Sequence, residues 1–259
     1  TAAYAKQLGE RVGKELKIPV YLYEAAQSNK SRNNLSVIRS GEYEGFFKKI
    51  KLPEWAPDYG PVEHSVRSGS TVIGARDFLI AYNINLNTTS VRRANSIAFD
   101  VRETGRVKRD GNPITGKIIK DAAGAPVYIP GTLKSVKAIG WYIQEYGIAQ
   151  ISMNLTNINV TPVHIAFDEV CKKATERGIR VTGSELIGLI PLKCMLDAGR
   201  YFLNKQQRSI GVSERELIKI AVKSLGLDEL VPFKPEERII EYLLEDSSVN
   251  PLIKMDLKS

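Results

Sequence analysis

Phe78-Leu79-Ile80-Ala81-Tyr82-Asn83-Ile84-Asn85-Leu86 is the stretch from which the fold can be built outward. Its aromatic and branched residues suit a pleated strand. Alternation puts Ile80, Tyr82, Ile84 and Leu86 on one face and Ala81, Asn83 and Asn85 on the other. The apolar face calls for a covering layer, and the amide face calls for hydrogen-bond partners. Immediately downstream, Thr88, Thr89 and Ser90 offer caps for a helix over about 91–102.

Beyond that helix, residues 105–132 are rich in Gly, Pro and Lys and read as an excursion. We take it as a hairpin inserted over 106–132, turning near Asp121-Ala122-Ala123-Gly124. Two strands, 136–143 and 148–155, follow and are joined through Glu145-Tyr146-Gly147. Thr161-Pro162 starts a helix with Val163, Phe167 and Val170 on one side, Arg177-Gly178 closes it, and 179–182 reads as a further strand. The order is β-α-β-β-α-β, the split-βαβ or ferredoxin-like arrangement, in which two helices cover one face of an antiparallel sheet. Helices over about 191–202, 213–225 and 235–243 would extend it. The predicted class is therefore α+β, with this subdomain at 79–246 and a tail at 247–259.

Upstream, a helix runs to about Leu16 with Leu8, Val12 and Leu16 on one face, and Pro19 ends it. Ile18-Pro19-Val20-Tyr21-Leu22-Tyr23 and Thr71-Val72-Ile73-Gly74 read as strands, and Asn33-Asn34 opens a short helix before Gly41. Between 52 and 60, Pro53, Pro57 and Gly60 interrupt regular structure and predict a long ordered loop of the kind that carries binding groups. Residues 1–78 read as the tail of a similar α/β N-terminal subdomain. The opening Thr1-Ala2-Ala3-Tyr4 reads as the middle of a helix, so a fragment is expected.

Composition narrows the function classes. With 259 residues, 43% hydrophobic and 25% charged, the chain can form one large or two small cores. Its longest apolar runs, 78–82 and 186–192, are far shorter than the roughly 20 residues of a membrane-spanning helix. Cys171 and Cys194 have neither zinc-site nor disulfide-framework spacing, so no metal is expected and a reducing, cytoplasmic setting is. The net charge of +8 is spread out. Residues 1–78 carry 12 basic against 9 acidic side chains and residues 79–259 carry 25 against 20, so neither part is a basic arm and no nucleic-acid partner is indicated.

Several blocks resemble one family. Trp55-Ala56-Pro57-Asp58-Tyr59-Gly60-Pro61 and Gly74-Ala75-Arg76-Asp77 running into the opening strand are similar to the central block of glutamate formiminotransferases. The resemblance continues through Ala149-Gln150-Ile151-Ser152-Met153-Asn154-Leu155, Gly183-Ser184-Glu185-Leu186-Ile187-Gly188-Leu189-Ile190-Pro191-Leu192 and Glu237-Arg238-Ile239-Ile240-Glu241-Tyr242. It covers nearly the whole chain apart from 106–132. It implies transfer of a formimino group from N-formimino-L-glutamate to N5 of tetrahydrofolate, the co-substrate, with release of glutamate during histidine breakdown. It also implies a homodimer. In animals the family carries a cyclodeaminase domain downstream, which is not expected within these residues. The family's acid/base histidine belongs to a G-x-H-P-R-M-G-like motif ahead of the first helix. That motif does not occur here, so no catalytic residue is assigned and the chain alone is expected to be inactive.

By resemblance, the folate-binding segment is Gly60, Pro61, Val62, Glu63, His64, Ser65, Val66, Arg67, Ser68 and Gly69. Its glycines would let backbone approach a pterin, and Arg67 could attract carboxylates; alternatively this is a surface loop. His64 is read either as a folate contact or as a solvated loop histidine, and His164 as a packed first-turn histidine. Asn83, Asn85 and Asn154 suggest a polar substrate pocket, or else side chains bonded to neighbouring backbone. Glu185, placed in a Gly183-Ser184-Glu185 turn, would either pair with a cationic formimino group or cap a helix. The reading from a different function class is a non-catalytic folate-binding or RNA-associated ferredoxin-like module, which would need exposed aromatics on the sheet.

Overall fold

The computed structural model describes residues 1–63, 66–112 and 115–245. They form two units, Thr1–Asp77 and a second from Phe78 onward. In the first unit, helix α1 (Ala2–Glu15) precedes strand β1 (Val20–Glu24), short helices α2 (Leu35–Ile38) and α3 (Glu42–Lys49), and strand β2 (Thr71–Ala75). β1 and β2 pair in parallel, from Val20 opposite Thr71 to Glu24 opposite Ala75. Asn34 caps α2 by accepting from the Ser36 amide.

The face of α1 that is buried differs from the expected one. Ala5, Gly9 and Gly13 are buried, while Leu8 and Leu16 are 53% and 62% exposed. Both triplets repeat every four residues, so periodicity alone could not choose between them. The choice is steric, because the small residues let the helix approach the ring of Tyr59 and the strands beneath.

The second unit begins with β3 (Ile80–Leu86) and α4 (Val91–Val101). Four two-residue strands follow, β4 (Arg106–Val107), β5 (Arg109–Asp110), β6 (Lys117–Ile118) and β7 (Tyr128–Ile129). β5 pairs with β6 and β4 with β7, giving nested antiparallel ribbons. The turn at Asp121 is held by its carboxylate, which accepts from the amides of Ala123 and Ala125, each at 2.9 Å. Next come β8 (Val136–Ile143), β9 (Ile148–Leu155), α5 (Val163–Thr175) and β10 (Val181–Ile187). The sheet order is β10-β3-β9-β8 with every neighbour antiparallel, the ferredoxin-like arrangement.

Ile80, Tyr82, Ile84 and Leu86 are fully buried beneath α4 and α5, which contribute Ile97, Ala98, Val101, Val163, Phe167 and Val170. α6 (Leu192–Lys205) and α7 (Glu214–Leu225) extend this core with Met195, Ala198, Phe202, Ile218 and Leu225. The expected last helix is two pieces, α8 (Pro235–Arg238) and α9 (Ile240–Glu245). Ile239 between them is extended and fully buried, bridging Ile190: the Ile190 amide donates to Arg238 and the Ile240 amide to Ile190. A buried bridge there outweighs one more turn of helix.

Both edges of the sheet are covered. On β10, the Ser184 amide and hydroxyl donate to the carbonyls of Gly226 and Leu225 at the end of α7. On β8, the Asn95 side chain from α4 accepts from the Gly140 amide at 2.9 Å and donates to its carbonyl at 3.1 Å. α4 therefore crosses β8 so closely that a Cβ on Gly140 would lie 2.3 Å from the Asn95 amide nitrogen. Gly140→Ala is expected to destabilise the unit by about 1–3 kcal/mol through overpacking. A urea titration that leaves the unfolding midpoint unchanged would contradict this packing.

Candidate functional site

The side of the sheet opposite α4 and α5 is polar at its centre. Register places Gly183, Asn85, Gln150 and Trp141 in one row across β10, β3, β9 and β8. The next row is Glu185, Asn83, Ser152 and Ile139, and the one after is Ile187, Ala81, Asn154 and Lys137. Directly opposed residues share a face, so Trp141, Gln150, Asn85, Asn83 and Glu185 of the first two rows form a hydrogen-bonded ladder. Trp141 donates through Nε1 to Gln150 Oε1 at 3.1 Å, and Gln150 Nε2 donates to Asn85 Oδ1 at 2.7 Å. Asn85 Nδ2 in turn donates to the Glu229 carboxylate, from the turn after α7. Glu185 Oε2 accepts from Asn83 at 3.2 Å and from Gln150 at 3.4 Å.

Asn83, Asn85 and Gln150 are buried to 3%, 0% and 0% exposure. Amides that deep are tolerated because the two carboxylates supply charge-assisted acceptors. Glu185 is only half-buried, and among the described residues its Oε1 has no hydrogen-bond partner. The arrangement is a fixed carboxylate with one open acceptor at the centre of a sheet face. That suits a planar cation with N–H donors.

Of the residues expected at a pocket, Asn83, Asn85 and Glu185 come together. Asn154 shares the face but lies one row further on, exposed. The turn expected at Gly183-Ser184-Glu185 is a correction: these residues lie within β10, and Glu185 is opposite Asn83 in register and caps no helix. Gly and Ser in succession suggest a turn, but pairing with β3 on one edge and the α7 terminus on the other overrides that local preference. Gln150, Trp141 and Glu229 escaped the sequence reading. Alternation along β9 could have found Gln150, since Gln150, Ser152 and Asn154 alternate with buried apolar residues.

The segment from Gly60 to Gly69 divides. His64 and Ser65 lie outside the described residues. Gly60, at φ +83°, is pressed against the protein itself, where a Cβ would lie 2.4 Å from the Ile18 carbonyl oxygen. Its conformational freedom serves packing against α1. Val66, Arg67, Ser68 and Gly69 line a cavity of about 410 Å³ with Tyr43, Phe46 and other residues of α2 and α3. The Tyr43 hydroxyl donates to the Val66 carbonyl at 3.1 Å.

The Trp55–Pro61 block preceding it is an anchor. The Asp58 carboxylate accepts from the Leu22 amide at 2.8 Å, from Gln27 at 2.9 Å and from Arg32 at 2.6 Å, with Arg32 and Asp58 side chains 14% and 15% exposed. Tyr21 donates through its hydroxyl to the Trp55 carbonyl at 2.6 Å, and burial pushes that phenol up to about 12.

His164 belongs to the helical side of the sheet. It is 7% exposed, its ring lies 4.6 Å from that of Tyr201, and its Nδ1 has no partner among the described residues. Burial lowers its pKa below the ordinary 6.5, against the opposing pull of Asp197 and Asp168 and with a small contribution from Lys193. No group of three or more His, Cys, Asp or Glu among the described residues could hold a metal ion, and none of their helices is long and apolar enough to cross a membrane.

A β-α-β-β-α-β unit with amides and a carboxylate on its open face is the class that fold and site define. Residues 81–245 match the family model of the formiminotransferase domain, and residues 1–76 match that of its N-terminal subdomain. The chain belongs to the formiminotransferase family. It is 46% identical over 241 residues to a formimidoyltransferase-cyclodeaminase of Gallus gallus, covering 93% of this chain and 41% of the relative. The formimidoyltransferase-cyclodeaminase of Sus scrofa is 43% identical over 243 residues, covering 94% and 41%. A glutamate formimidoyltransferase of Thermoplasma acidophilum is 36% identical over 220 residues, covering 84% and 64%. The chain spans about two fifths of the length of the animal relatives it matches.

Two outcomes follow from this geometry. Asp58→Ala strands Arg32, and removing one partner of such a pair costs about 3–5 kcal/mol; hydrogen exchange should accelerate in β1 and leave β3 and β9 unchanged. Equal protection of β1 in both proteins would contradict the anchoring role. Because the folded-state pKa of His164 is depressed, the unfolded chain takes up the proton first, and stability falls as the pH is lowered below 6.5. His164→Gln should lose less stability than wild type between neutral pH and pH 5 in urea titrations; parallel losses would contradict the assignment.

Proposed function

We propose that this chain contributes the formimino-transfer site of a glutamate formimidoyltransferase, moving the formimino group of N-formimino-L-glutamate to N5 of tetrahydrofolate. The observation that carries this reading is the half-buried Glu185 carboxylate, held by Asn83 and Gln150 with one oxygen open. A protonated formimino group is a planar amidinium whose N–H bonds match such an acceptor. In the transfer, N5 attacks the amidine carbon and a tetrahedral intermediate forms. The bond from that carbon to the glutamate nitrogen then breaks, and the proton lost by N5 ends on the departing amine. Glu185 orients the amidinium and offsets its charge.

The proton must be carried by an acid/base, and a histidine near neutrality is suited to it. His164 does not fit, since it is buried among helices on the other side of the sheet. We therefore assign the acid/base to the family's histidine motif, which these 259 residues do not contain, and propose that the chain alone does not turn over. For the pterin, the support is the cavity lined by Val66 to Gly69 with Tyr43 and Phe46, which offers aromatic edges and backbone. A nucleic-acid role is less well supported. The open face centres on a carboxylate, and its aromatic, Trp141, stands on the edge strand with its N–H already bonded.

Calorimetric titration with formiminoglutamate should show saturable binding that Glu185→Gln weakens about tenfold or more, the equivalent of about 1.4 kcal/mol. Adding tetrahydrofolate should yield no formiminotetrahydrofolate. Turnover by this chain, or unchanged binding by the variant, would overturn the assignment.

A further inference from the structure

The helical side of the second unit carries a concave site distinct in character from the polar sheet face. A cavity of about 700 Å³ is lined by Arg92, Arg93, Arg102, Arg106, Arg109 and Arg177, with no acidic side chain on its lining. One face of α4 supplies Arg92 and Arg93 in its first turn, and Arg102 follows at its end, while Ala94, Ile97, Ala98 and Val101 face the core. The nested ribbons fold back along the helix and add Arg106 and Arg109, and the turn after α5 adds Arg177.

Four of these guanidinium groups are fixed in place. Arg106 and Arg177 both donate to the Asp100 carboxylate, and they reach the Ser96 carbonyl and hydroxyl at 2.8 and 3.2 Å. Arg109 donates to the Gly116 carbonyl at 2.7 Å. Arg102 donates to the Gly105 carbonyl at 2.8 Å and lies 4.1 Å over the Phe99 ring. Each keeps further N–H donors, because a guanidinium has five. Arg92 and Arg93 have no side-chain partner among the described residues.

The charge is compensated only in part. Asp100 pairs with Arg106 and Arg177, and Glu176 lies 4.0 Å from Arg177, so that among the described residues two carboxylates stand against six cations. The helix dipole also works against Arg92 and Arg93, since cations are disfavoured in a first turn. Gathering like charges around a concavity, several on preset forks, is unfavourable until an anion arrives. Guanidinium forks match phosphate oxygens two at a time, and a compact chain of phosphates supplies the charge density that a single carboxylate lacks.

We propose that this cavity binds a small ligand bearing two or more adjacent phosphate groups. The site lies on the helical side of the sheet, so such a ligand does not compete for Glu185. Arg92 and Arg93 form the outer clamp, and the four anchored arginines form the floor.

The test is calorimetric titration of the chain with inorganic tripolyphosphate at low ionic strength, where exposed charges are least screened. Saturable binding is expected, weakened about tenfold or more by Arg92→Ser with Arg93→Ser. The thermal midpoint of the unliganded double variant should be no lower than that of wild type, because neither side chain has a partner to lose and removing both relieves repulsion and an unfavourable helix-dipole interaction. Lys6→Ser with Lys14→Ser, on α1, should bind as wild type does, and citrate should bind at least about tenfold more weakly than tripolyphosphate. Binding that survives the double arginine variant, citrate binding as tight as tripolyphosphate, or no saturable binding at millimolar tripolyphosphate would each overturn the proposal.

Discussion

The second unit depends on β3 being buried on both faces with opposite chemistry on each. Ile80, Tyr82, Ile84 and Leu86 have no exposure on the helical side, and Asn83 and Asn85 are nearly as deep on the other. A slip of one residue in register would send amides into the apolar core and isoleucines onto the ladder, so the pairing with β9 and β10 is fixed from both sides. The same register brings Gln150 beside Asn85 and Glu185 beside Asn83. Fold and site are thus set by one alternation, and the site could not be assembled on a misregistered sheet.

The first unit has a much smaller core, built around Ala5, Leu22 and Ala26 with Tyr59, Ile73 and Ala75 packed against it. It leans instead on Asp58, which ties a Pro-rich loop to β1, Gln27 and Arg32. Thus the most recognisable block of the sequence, Trp55 to Pro61, anchors architecture, while the ligand-sized cavity lies just beyond it at Val66 to Gly69.

Much of the fold was legible because strong local signals agreed with tertiary demands. β8 and β9 could be read at 136–143 and 148–155 from their apolar runs, and α5 from Thr161-Pro162. Where local and tertiary preferences diverged, sequence misled. Gly183 and Ser184 suggest a turn but lie in a strand held on both edges, and Ile239 sits in a helical pattern but is pulled out to bridge Ile190. The buried face of α1 follows from which residues are small enough to pack, which periodicity does not encode. The site was half visible: Asn83, Asn85 and Glu185 stood out as polar residues and alternation along β9 points to Gln150, whereas Trp141 acquires meaning only once register is known and Glu229 only once the turn after α7 is packed against β3. The arginine cavity needs the ribbons folded back on α4, and its residues are scattered from 92 to 177 in the chain.

We propose that the amide and carboxylate ladder on the open sheet face receives the formimino substrate. The most direct measurement follows the side-chain amide resonances of Asn83, Asn85 and Gln150 by nuclear magnetic resonance as formiminoglutamate is added. Saturable shifts are expected at Asn83 and Gln150, which share Glu185, with little change at Asn95 against Gly140 on the other side of the sheet. Shifts confined to Asn95, or no response of the ladder amides at saturating ligand, would contradict the proposal.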